Sequence, residues 1–213
     1  CKLAEAGARA GAAGFMILPG IPYKSEPHET LRHYRSVAKA GCLPVMIYNN
    51  PPAYGVDITP AMLVDLAEDP LFAMVKESSD DVRRVVTIKS MLKDRMAIFT
   101  GVDNLALESL AMGAVGWVAG LVCAYPRETV AIYELARRGR MAEALAIYSW
   151  FRPLLDLDVS ARLVQNIKLV EALVIGANDR CRAPRLALKG PERKRIAAIV
   201  AEAERAKPAL PTW

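Results

Sequence analysis

The chain has 213 residues, 53% of them hydrophobic and 24% charged, with a formal net charge of +5. That length holds one domain with a sizeable core, and the composition excludes a disordered chain. The basic residues are spread over helical stretches such as Arg137-Arg138-Gly139-Arg140 and Glu192-Arg193-Lys194-Arg195. These read as solvated helix faces and argue against nucleic acid as a partner, while leaving room for an anionic small molecule.

Cys1, Cys42, Cys123 and Cys181 are far apart, with no ligand spacing, so neither a metal site nor a disulfide framework is expected. No apolar run reaches the length of a membrane span and no secretory signal opens the chain. The expectation is a cytoplasmic protein with reduced thiols, no membrane contact and no cofactor. Cys1 is followed at once by Lys2-Leu3-Ala4-Glu5-Ala6, a helix with no cap ahead of it, so the chain is expected to begin inside a longer protein.

In chain order, a short apolar run ending in Gly, Pro or polar residues recurs, each time followed by a helical pattern. The first run is Gly14-Phe15-Met16-Ile17-Leu18-Pro19, followed by a loop and a predicted helix over 27–40. Leu43-Pro44-Val45-Met46-Ile47-Tyr48 comes next, then a Pro-rich loop and a helix over 59–68. Thr59 is its predicted N-cap and Pro60 its first residue. Phe72-Ala73-Met74-Val75-Lys76 is the third run, with Ser79 or Asp80 expected to cap a helix reaching Leu92.

Met96-Ala97-Ile98-Phe99-Thr100 and Ala114-Val115-Gly116-Trp117-Val118-Ala119 complete the series. Continuous apolar runs suit strands buried on both faces of a parallel sheet, and their ends recur at roughly 18 to 29 residues, the spacing of βα units. Beyond them the pattern is helical, over 126–138, 141–155, 161–175 and 191–206, with no linker marking the tail off.

Five βα units fit either an open doubly wound sheet or part of a (βα)8 barrel. The Gly-rich stretch over 7–14 precedes a strand instead of following one, so it fails as a nucleotide-binding loop. A barrel places functional residues at the C-terminal ends of its strands, and the unusual residues lie there. Lys76 ends the third run. Taken alone it reads as a strand-end lysine snorkelling to solvent. A lysine partly desolvated by packing would instead offer free amine to a carbonyl carbon, since burial disfavours an ammonium. Tyr48 ends the preceding strand, either as a rim aromatic or as a phenol able to relay protons at the neighbouring tip. His28 and His33 have no third ligand and read as surface or packing residues, Trp117 and Trp150-Phe151 as core or subunit-contact aromatics.

Tyr48-Asn49-Asn50-Pro51, Lys76-Glu77-Ser78 one unit later and Gly101-Val102-Asp103 after the next strand together resemble the dihydrodipicolinate synthase / N-acetylneuraminate lyase family. Members are lysine Schiff-base (class I) lyases and aldolases built as (βα)8 barrels with a helical C-terminal extension. The resemblance implies a barrel portion over residues 1–124, holding units four to eight, and an extension over 125–213 packed on it. It implies that Lys76 forms the imine with a 2-oxo acid such as pyruvate and that Tyr48 shuttles protons. Gly101 and Asp103 fall where lyase-type members contact the substrate's polar tail, and Val118 where members place a residue near the keto acid. Homo-oligomers, dimers or tetramers, are also implied.

Two departures bear on function. Members carry a Gly-Thr-Thr-Gly-Glu loop that grips the substrate carboxylate, and residues 1–13 hold nothing like it. Activity is therefore expected to need a preceding segment, with the 213 residues a truncated product or fragment; an inactive assembly subunit is the other outcome. The synthase of lysine biosynthesis shows a Pro-Tyr-Tyr loop where this chain has Leu18-Pro19-Gly20-Ile21-Pro22-Tyr23-Lys24-Ser25, so Tyr23 is a loose match, and Ala119 stands where many members have serine. The stretches at 77–84, 108–114, 116–121 and 168–170 look like a catabolic branch that includes 1-pyrroline-4-hydroxy-2-carboxylate deaminases. A sugar-phosphate-binding barrel is disfavoured by the lack of a late Gly-rich phosphate loop.

Overall fold

Each apolar run becomes a strand, and each capped amphipathic stretch a helix. The computed structural model describes residues 1–20 and 23–212. Helix α1 (Lys2–Arg9) precedes β1 (Phe15–Ile17), α2 (Pro27–Gly41) and β2 (Val45–Asn49). Then come α3 (Pro51–Tyr54), α4 (Pro60–Leu66), β3 (Phe72–Glu77), α5 (Arg83–Leu92) and β4 (Ala97–Thr100). A 3-10 turn leads into α6 (Ala106–Ala111), and β5 (Gly116–Trp117) ends the sheet. The tail is α7 (Pro126–Arg137), α8 (Met141–Leu155), α9 (Leu163–Ile175) and α10 (Gly190–Arg205).

Two compact units result. The first comprises Cys1–Gly101 and Ala111–Val118, the second Val102–Leu110 and Ala119–Trp213. In the first, the five strands pair in sequence order and all in parallel. Helices α1, α2, α4 and α5 pack consecutively against one another. The sequence expectation of strands buried on both faces is corrected. Val45, Ile47, Val75 and Ile98 are essentially inaccessible, whereas Met46, Met74 and Phe99, on the alternate face, are only half-buried. Successive side chains point to opposite sides of a strand. The apolar character of both sets hid a difference in covering.

Of the two predicted caps, that of α4 forms and that of α5 does not. Glu26 and Glu29 form the capping box of α2, and the Thr59 hydroxyl accepts the Met62 N–H (3.3 Å) at the start of α4. For α5 the expected caps Ser79 and Asp80 are displaced. Asp80 has φ +63°, a turn conformation that short polar side chains tolerate. The carboxylate of Asp81 takes the Arg83 N–H instead (3.1 Å).

The second unit is helical. Tyr125 and Phe151, both inaccessible, meet edge to face at 5.3 Å, and Trp150 stacks on Phe151 at 5.4 Å while donating to the Ala203 carbonyl (2.9 Å). Burying a side chain such as Phe151 contributes roughly 1.5–3 kcal/mol. Lys207 closes this cluster by pairing with the buried Glu128 (2.9 Å) beneath the Tyr125 ring. Trp150 and Phe151 thus serve as core aromatics.

Replacing Thr59 by Ala removes an N-cap acceptor, and urea unfolding is expected to show a loss of about 1 kcal/mol. An unchanged midpoint would show that the Thr59 hydroxyl contributes nothing to α4.

Candidate active site

Backbone register assembles the site. Parallel pairing sets Tyr48 opposite Lys76, Lys76 opposite Phe99, and Phe99 opposite Gly116. Paired residues of a parallel sheet share a face, so Tyr48 and Lys76 emerge side by side. The Lys76 Nζ lies 4.1 Å from the centroid of the Tyr48 ring, within reach of its negative π face. Both side chains are half-buried.

Tyr48 is held from three directions. Its hydroxyl accepts a hydrogen bond from the Asn50 amide (3.1 Å), and its ring meets Tyr54 edge-on at 5.7 Å. Its carbonyl accepts from the Tyr34 hydroxyl (3.4 Å), which also reaches the Ile17 carbonyl (3.3 Å) and so ties α2 to the ends of β1 and β2. Burial pushes the Tyr54 phenol above its ordinary value, with neighbouring Tyr48 adding to the shift.

Gly101, one residue past β4, belongs to the same face. A Cβ there would come within 2.2 Å of the Ser78 Oγ and 2.4 Å of the Lys76 Cε, so only glycine leaves the lysine stem its place. Val118 continues β5 by donating its N–H to the Thr100 carbonyl (2.9 Å) and falls on that face by alternation. Lys76, Tyr48, Gly101 and Val118 therefore share one side of the sheet.

Asp103 belongs to the second unit and is inaccessible. Its carboxylate accepts the N–H groups of Gly120 (3.0 and 3.1 Å) and Leu121 (2.8 Å). That geometry fixes the turn after β5, a structural duty that the sequence did not announce. Tyr23 is exposed and donates to Glu29 (2.9 Å), while its neighbours Ile21 and Pro22 lie outside the described residues.

The opposite face holds a polar network missed at the sequence level. Asn49 is inaccessible. Its amide donates to both oxygens of Glu77 (3.3 and 3.1 Å) and to Asp57 (3.3 Å), and its own oxygen accepts the Ile58 N–H (2.9 Å). Arg84 closes the network with a two-point contact to Asp57. Glu77 also accepts the Ser79 N–H (2.8 Å). The signal was present in Asn49 and Glu77, polar residues at positions where the strand alternation demands burial. Among the described residues no cluster of three or more His, Cys, Asp or Glu could hold a metal, and no helix is long and apolar enough to cross a membrane. A cleft of about 650 Å³ in the second unit is lined by residues including Asp156, Arg162, Asn166, Glu192 and Arg195, and Arg162 pairs with Glu192 there.

Burial pushes the Glu77 carboxyl above the ordinary glutamate range, although the Asn49 amide, the Arg84 guanidinium and the Ser79 N–H oppose the shift. The folded state thus holds this proton to higher pH than the unfolded chain does. The group's stabilising effect is greatest below the ordinary glutamate value and declines as pH rises through the folded-state value. Glu77→Gln cannot titrate. Urea unfolding from pH 4 to 7 is expected to show wild type losing stability relative to the variant as pH rises. A difference constant with pH would contradict the assignment.

Residues 1–203 match the dihydrodipicolinate synthetase family. The 4-hydroxy-tetrahydrodipicolinate synthase of Methanospirillum hungatei JF-1 is 33% identical over 147 residues, 68% of this chain and 50% of the relative. That of Chlorobium limicola is 31% identical over 198 residues, 92% of this chain and 66% of the relative. The chain thus spans between half and two thirds of the length of these curated relatives. Among solved structures, the 4-hydroxy-tetrahydrodipicolinate synthase of Methylacidiphilum fumariolicum SolV is 25% identical, with a TM-score of 0.89 over 96% of this chain and 68% of that one. The dihydrodipicolinate synthase of Aquifex aeolicus, 21% identical with a TM-score of 0.89 over 95% and 70%, shares the fold. The sequential parallel strands and the helical tail correspond to part of the (βα)8 barrel with its helical extension, and the chain belongs to the dihydrodipicolinate synthetase family.

Proposed function

We propose that the protein is a Schiff-base-forming lyase or deaminase acting on a 2-oxo acid or a related cyclic imine, with Lys76 as nucleophile and Tyr48 as proton shuttle. The observation that carries this reading is the Lys76 amine lying 4.1 Å over the Tyr48 ring at the tips of two adjacent parallel strands. Lys76 attacks the substrate's C2 carbonyl or imine carbon, and the resulting iminium draws electrons from the neighbouring carbon. Tyr48, its hydroxyl oriented by Asn50, moves protons to and from the reacting centre. Gly101 gives the lysine stem room, and Gly101 and Val118 are proposed to border the substrate.

The finer reading is the 1-pyrroline-4-hydroxy-2-carboxylate deaminase branch, supported by the sequence stretches that resemble it. Lys76 would attack the cyclic imine carbon and open the ring. The 4-hydroxyl would leave as water, and hydrolysis would release ammonia and a 2-oxo semialdehyde, one water being consumed overall. The second reading is 4-hydroxy-tetrahydrodipicolinate synthase, the name of the curated relatives at 31 to 33% identity. The reading includes a cytoplasmic homo-oligomer, dimer or tetramer, as the family resemblance implies.

Coupled assays on the full-length protein with 4-hydroxy-1-pyrroline-2-carboxylate, and separately with pyruvate plus aspartate semialdehyde, decide between the two. Lys76→Arg is expected to abolish the active reaction and Tyr48→Phe to lower kcat by about 10²- to 10⁴-fold. Undiminished turnover by the Lys76 variant would overturn the proposal.

A further inference from the structure

Ser78 follows Lys76 by two residues and therefore falls on the same face of the sheet. It is 2% exposed, and its hydroxyl has no hydrogen-bond partner among the described residues. Leaving a buried hydroxyl unpaired is costly, so a partner is expected in some state of the protein. Its neighbour is the reactive lysine. The Ser78 Oγ, the Lys76 Cε and the Lys76 Cγ all crowd the point where a Gly101 Cβ would stand, at 2.2, 2.4 and 2.9 Å. The hydroxyl thus lies against the lysine stem, one bond short of the nitrogen. In this state the amine itself rests over the Tyr48 ring.

We propose that Ser78 is a positioning residue for the imine, its Oγ accepting the hydrogen bond from the N–H of the protonated Schiff base on Lys76. This rests on the function proposed above. In forming that species, the Lys76 nitrogen bonds to the carbonyl carbon and the carbonyl oxygen leaves as water. Two of the ammonium's three protons go with the oxygen, and one stays on nitrogen. The remaining N–H, carrying much of the positive charge, needs an acceptor. An ammonium is served by the π face of Tyr48; an iminium, now bonded to two carbons, has a single N–H and a different direction for it. Ser78 is the unpaired acceptor beside the stem. Its hydrogen bond keeps the imine protonated, the form that withdraws electrons.

The test uses full-length wild type, Ser78→Ala and Ser78→Thr, each mixed with pyruvate and cyanoborohydride, which reduces protonated imines. The adduct is followed by mass as a function of pH. Ser78→Ala is expected to trap about tenfold more slowly at neutral pH, with its pH profile falling away earlier on the alkaline side, while Ser78→Thr keeps the wild-type profile. Ser78→Ala is also expected to melt at or above the wild-type temperature, because it removes an unpaired buried hydroxyl; a purely structural serine would lower it. An alanine variant with the wild-type pH profile would overturn the proposal. So would equal losses in both variants, which would make the effect one of packing. Absence of any adduct in wild type would overturn the Schiff-base reading itself, and the wild-type arm separates that outcome from the others.

Discussion

Parallel pairing of β2 with β3 sets Tyr48 level with Lys76, and one residue of slip would turn a whole strand's side chains to the wrong face. The register is held by apolar burial, with Val45, Ile47 and Val75 inaccessible on one side of the sheet. The half-buried residues between them are then free to carry chemistry. Gly101 on the next strand end completes the arrangement, since any side chain there would occupy the space of the lysine stem. A buried strand framework thus fixes the position of the proposed nucleophile, an amine that is itself not fully buried.

The polar network behind these strands explains how the tips stay in place. Asn49 bridges the end of β2 to Glu77 at the end of β3 and to the segment before α4, and Arg84 adds α5 through Asp57. Such a network is costly if half-made and rigid if complete. Its residues alternate along the chain with those proposed to react: Tyr48 then Asn49, Lys76 then Glu77. One dipeptide at each strand end supplies both a proposed reacting group and its anchor.

Much of this was legible in the sequence, because strand and helix periods and turn chemistry agree with the final fold. The runs ending at Tyr48, Lys76 and Thr100 became strands within a residue or two of expectation, and Thr59-Pro60 opened α4. The α5 cap was not legible. Val82, not Ser79 or Asp80, takes the cap position and offers no side-chain acceptor, so the Asp81 carboxylate beside it takes the Arg83 N–H. Nor was the difference between the two strand faces, since methionine and phenylalanine serve equally on a covered or a half-covered side. Asp103 carried a family-derived expectation of substrate contact, but its partners, the N–H groups of Gly120 and Leu121, are backbone groups with no sequence signature. Ser78 is one letter of a motif in the sequence, and its burial beside the lysine stem is set by the fold.

The Lys76 amine is proposed as the nucleophile toward the carbonyl of a 2-oxo acid. The most direct measurement is peptide mapping by mass spectrometry after the full-length protein is reduced with borohydride in the presence of pyruvate. A single reduced pyruvyl adduct on the peptide carrying Lys76, absent without pyruvate, is the predicted result. A folded protein with no adduct, or with adducts scattered over surface lysines, would contradict the account.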